Sequence, residues 1–111
     1  MKKTLLFGLL IMVVLISGCT GQKTETQPVS TNSVDIRDFV FIPDNIQVIK
    51  GTTVIWTNRD SAPHTVTGIG NVLNSDILNQ GQTFSYTFNE PGTFEYECHV
   101  HPSMRGKVIV T

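Results

Sequence analysis

The sequence predicts an all-β fold, an antiparallel sandwich of short strands. Apolar residues nowhere recur at the helical period across residues 34–111. Short runs rich in Val, Ile, Thr, Phe and Tyr recur along that stretch instead. Clusters of Gly, Pro, Asn and Asp punctuate these runs at the spacing of a sandwich.

The elements follow in order. Val34-Asp35-Ile36 and Phe39-Val40-Phe41 flank Arg37-Asp38 and read as one first strand, with a bulge at the polar pair. Pro43-Asp44-Asn45 is a turn, and Ile46 to Ile49 is a second strand closed by Lys50-Gly51. Thr53 to Asn58 is a third strand. Arg59 to Pro63 is a loop that delivers His64 to the start of Thr65-Val66-Thr67. Residues 68–80, with Asn71, Asn74, Ser75, Asp76 and Asn79, read as loops around one short element. Gln82 to Phe88 alternates, with Phe84, Tyr86 and Phe88 on one face and Thr83, Ser85 and Thr87 on the other. Asn89-Glu90-Pro91-Gly92 is a turn, Thr93 to Cys98 a strand, and Lys107 to Thr111 the last strand. Trp56, Phe84, Phe88 and Phe94 are expected to fill the core.

Three segments organise the chain. Residues 1–18 read as a secretory signal: Lys2-Lys3, an apolar run from Leu5 to Ile16, then small residues. The run is shorter than the roughly 20 residues a membrane span needs. Ile16-Ser17-Gly18-Cys19 resembles a lipobox, so Cys19 is the expected lipidation site and a lipid anchor the expected membrane attachment. Residues 19–33 are polar, without aromatics, and read as the lipidated N-terminus and a flexible linker. Residues 34–111 form the single folded domain, expected to be a monomer on the outer face of the cytoplasmic membrane. That domain carries five basic and eight acidic residues, and no basic stripe marks a nucleic-acid surface.

Chemistry concentrates in Cys98-His99-Val100-His101-Pro102-Ser103-Met104, with His64 upstream. One thiolate, two imidazoles and one thioether are the donor set that one-electron copper chemistry requires. Thiolate and imidazole suit both oxidation states, and a weak thioether tunes the potential. Lipidation of Cys19 would leave Cys98 a lone thiol in an oxidising compartment, where a bound metal protects it. Taken singly, His64 reads as a loop residue, Cys98 as a small buried hydrophobe and Met104 as packing. Their joint spacing points to a site. His99 neighbours Cys98 on an extended run, so it should point away from the metal.

Gly51-Thr52-Thr53-Val54, Trp56-Thr57-Asn58, Ala62-Pro63-His64-Thr65-Val66, Pro91-Gly92-Thr93-Phe94 and the loop from Cys98 to Met104 resemble the cupredoxins of the plastocyanin and amicyanin group. The Cys-x-x-His-x-x-Met spacing is similar to the short amicyanin loop. The resemblance implies a Greek-key sandwich, one type 1 copper with His64, Cys98 and His101 as strong ligands and Met104 as the axial one, and one-electron carriage. It also implies that His101 lies in an apolar patch where redox partner proteins dock transiently. Two departures stand out: Thr65 occupies a position where the family often has Asn, and the interval from His64 to Cys98 is shorter than in plastocyanin.

Three other readings compete. A copper storage, delivery or resistance protein would use the same ligands, but such carriers favour Met- or His-rich tracts, which this chain lacks. An enzyme fragment would need an open metal position or a second metal site. A metal-free adhesion sandwich leaves the Cys, His and Met spacing unexplained.

Overall fold

A computed structural model describes residues 27–111. The expected leader, Cys19 and the linker up to residue 26 lie outside the described residues. Nine strands are present among them: β1 (Val29–Ser30), β2 (Ser33–Arg37), β3 (Val40–Ile42), β4 (Asn45–Val48), β5 (Thr52–Asn58), β6 (Thr67–Gly68), β7 (Thr83–Phe88), β8 (Gly92–Glu97) and β9 (Arg105–Val110). They form a five-stranded sheet in the order β1-β4-β9-β8-β6 and a four-stranded sheet in the order β3-β2-β5-β7.

Alternation explains the packing. Every second residue of a strand points to one face, which sends Val34 and Ile36 of β2, Val54 and Trp56 of β5, Ile46 and Val48 of β4, and Val108 and Val110 of β9 into one core. The aromatic residues lock the sheets together. Trp56 of one sheet meets Tyr96 of the other edge-on at 5.4 Å, and Phe41 meets Tyr96 at 4.7 Å. Trp56 and Phe88 are buried as expected, while Phe84 and Phe94 pack on the core's margin.

The all-β reading holds, but strand direction needs correction. β2–β3, β5–β7, β6–β8 and β8–β9 are antiparallel, whereas β1–β4, β4–β9 and β2–β5 are parallel. A period-2 pattern fixes which face a residue takes and carries no sign for its neighbour's direction. The folded part also begins before residue 34: Val29 and Ser30 pair with Ile46 and Gln47 on the edge of the larger sheet, and β2 starts at Ser33.

The expected bulged first strand is in fact a hairpin. Arg37 pairs with Val40 across Asp38 and Phe39, and both turn residues have positive φ, at 56° and 61°. Two-residue hairpin turns of this hand normally use Asn-Gly or Asp-Gly, so Asp-Phe gave no turn signal.

Candidate metal centre

Strand ends and one tight loop assemble the site. β5 ends at Asn58, which is fully buried. Its amide Nδ2 donates to the carbonyls of Ala62 (2.9 Å) and Leu78 (2.8 Å), and its Oδ1 accepts from the Asp60 N–H at 2.9 Å. These bonds pin the 59–63 loop that precedes His64. His64 then exchanges backbone hydrogen bonds with Leu78, at 3.1 and 2.8 Å. The stretch with the weakest sequence signal therefore supplies the backbone partner of His64.

Cys98 follows β8 directly, and Met104 immediately precedes β9. Their loop closes on its own backbone. The His101 N–H donates to the Cys98 carbonyl (3.1 Å), the Met104 N–H to the His101 carbonyl (2.9 Å), and the Cys98 N–H to the Met104 carbonyl (3.1 Å). Such a loop holds its side chains with little freedom left to lose on binding.

Three of the four site residues expected from sequence, His64, Cys98 and His101, meet here. Cys98 Sγ lies 3.6 Å from His64 Nδ1 and 3.8 Å from His101 Nδ1. The three donor atoms all lie within 4.8 Å of one another, the only such group among the described residues. His64 and Cys98 are fully buried and Met104 nearly so, while His101 is half-buried. The converging atoms are one sulfur and two ring nitrogens, a borderline-to-soft set that suits a copper ion. His99 is exposed, as its alternation predicts.

Three contributors carried no clear sequence signal. The first is Asp60. Its Oδ1 accepts the Asp38 N–H at 2.7 Å, and its Oδ2 accepts the Phe39 N–H at 3.0 Å and lies 2.9 Å from His64 Nε2. Burial alone would push the Asp60 carboxyl up, but the N–H groups of Phe39 and Asp38, and then His64, outweigh it and hold it below the ordinary carboxylate value. The second is Phe39, whose ring stands edge-on to His64 at 5.2 Å and to His101 at 5.0 Å. The third is the role of Thr65. Its Oγ1 accepts the His99 N–H at 2.8 Å and shares a hydrogen with Thr67 Oγ1, while its backbone N–H reaches Cys98 Sγ at 3.4 Å. The short hydroxyl thus ties the two ligand segments together despite the absence of Asn.

A sequence profile described as a cupredoxin-like domain matches residues 7–110. The chain belongs to the cupredoxin family. Amicyanin-alpha of Methylorubrum extorquens is 33% identical over 94 residues, covering 80% of this cupredoxin and 79% of the relative. Among solved structures, a purple cupredoxin from Nitrosopumilus maritimus superposes with a TM-score of 0.70 at 33% identity, over 73% of this chain and all of the other. A Cu(I) form of an amicyanin variant superposes at 0.64 with 39% identity, over 75% of this cupredoxin and 86% of that chain.

Proposed function

We propose that this cupredoxin carries single electrons between redox partners through one type 1 copper, held by His64, Cys98, His101 and Met104. The observation that carries the reading is the meeting of His64 Nδ1, Cys98 Sγ and His101 Nδ1 within 4.8 Å of one another. When bound there, copper supplies a one-electron couple at a thiolate–imidazole site. The protein's part is to hold the ligands still. Rigid donors on separate strands keep the geometry common to both charge states, so little rearrangement accompanies the electron. Four donors leave no open position for a substrate, which favours a carrier over an enzyme. The chain has neither Met-rich nor His-rich tracts, which favours it over a copper-delivery protein.

His101 is the half-buried ligand, and exposed Phe39, Val100 and Pro102 lie close to it in space or in sequence. A small apolar rim of this kind suits brief docking of a redox partner. Export, lipidation of Cys19 and a short linker to β1 would place the carrier at a membrane surface. β1 runs parallel to β4 and β9, and β9 leads away from the ligand loop. The chain therefore enters its first strand from the side of the metal centre.

The test is a visible spectrum of the reduced, metal-free protein given one equivalent of copper(II). An intense blue to purple thiolate band that ascorbate bleaches, and that Cys98→Ser abolishes, is the expected result. A weak band with oxidised Cys98 would refute the carrier. Membrane fractionation of the full chain beside Cys19→Ala checks the anchor.

A further inference from the structure

We propose that Asp60 is a positioning residue for the metal centre, fixing His64 for the metal on one side and the Phe39 turn over both imidazoles on the other. This rests on the copper reading above. The carboxylate makes three contacts: the Asp38 N–H, the Phe39 N–H and His64 Nε2, at 2.7, 3.0 and 2.9 Å. Its side chain is only 12% exposed, and the imidazole it faces is fully buried.

The inner contact sets the tautomer. A carboxylate only accepts, so His64 must carry its proton on Nε2, leaving the Nδ1 lone pair aimed toward Cys98 Sγ. A carboxylate behind an imidazole ligand also makes that ligand a stronger donor and adds negative charge nearby. Both effects favour the more highly charged, oxidised metal.

The outer contacts hold an otherwise unfavourable turn. Left-handed backbone is unfavourable for a residue other than glycine, and Asp38 and Phe39 both adopt it. Hydrogen bonds to a charged acceptor are stronger than those to a neutral one, and two of them oppose that cost. The turn so held seats the Phe39 ring at 88° to both imidazoles, with 49% of the residue exposed. The metal's surroundings and its outer cover therefore share one anion.

The experiment compares copper-loaded wild type with Asp60→Asn. The variant removes the charge, and its amide cannot accept at all three contacts. The expected result is a retained thiolate band with the reduction potential shifted upward, together with faster exchange of the His64 ring proton. A potential equal to that of wild type overturns the proposal, whereas a wild type without the thiolate band overturns the copper reading instead. The second measurement needs no variant: the ¹H–¹⁵N spectrum of the reduced wild-type histidine rings. A slowly exchanging, downfield proton on His64 Nε2 supports the proposal. A proton that exchanges rapidly there overturns it.

Discussion

Replacing Thr65 by Val should loosen the junction between the two ligand segments, and the cost can be worked from the geometry. Thr65 is 6% exposed, and its hydroxyl is the acceptor for the His99 N–H at 2.8 Å. Val keeps the shape and the backbone N–H that reaches Cys98 Sγ, so the change isolates the hydroxyl. Leaving a donor without its partner costs about 1–3 kcal/mol. The second partner, Thr67 Oγ1, is only partly buried and can turn to water, so it adds little. A central value of about 2 kcal/mol corresponds to a fall in melting temperature of roughly 8–16 °C for a domain of 60–100 residues. Calorimetry of the metal-free protein measures this directly. Thr65→Ser, which keeps the hydroxyl, should lose much less. A Thr65→Val protein that melts within about 2 °C of wild type would refute the bridging role, since the hydroxyl would then contribute far less than a hydrogen bond that holds the two segments.

Other outcomes follow from the same structure. The Asp60 pKa lies below its unfolded value, so its stabilisation is present above about pH 4 and is lost as pH falls through the folded pKa. In urea titrations of metal-free protein, the gap between wild type and Asp60→Asn should be flat above about pH 5 and close in acid; a gap that widens in acid contradicts the sign. A Cβ at Gly106 would sit 2.5 Å from the Tyr96 hydroxyl and 3.0 Å from the Asp44 carbonyl, so Gly106→Ala should cost roughly 1–3 kcal/mol in unfolding free energy. The Tyr96 hydroxyl is buried with no partner of good hydrogen-bond geometry, and burial pushes its pKa well above the usual phenol range. Tyr96→Phe should therefore be as stable as wild type or more so by up to about 1 kcal/mol, and a clear loss in chemical denaturation would reveal a bond to that hydroxyl.

The sequence by itself determined the all-β class, most strand positions and the donors that converge. Strand alternation is a local property, and it placed Trp56, Phe88 and the Val and Ile pairs inward without knowledge of the partner strands. The Cys98 to Met104 loop was legible because its residues are near neighbours in sequence, and His64 because its flanking residues matched a known pattern. Tertiary structure alone decided strand direction, since a pattern of period 2 reads the same whether its neighbour runs up or down. It also decided the hairpin at Asp38 and Phe39. Asp tolerates positive φ, but Phe39 has no local reason to adopt it; both turn N–H groups are held from 21 and 22 positions away, by the carboxylate of Asp60. In sequence Asp60 is one acid among several, and Phe39 an apolar residue that could have been core. Only folding brings that acid beneath the turn and behind the imidazole, where one carboxylate accepts from both turn N–H groups and faces His64 Nε2.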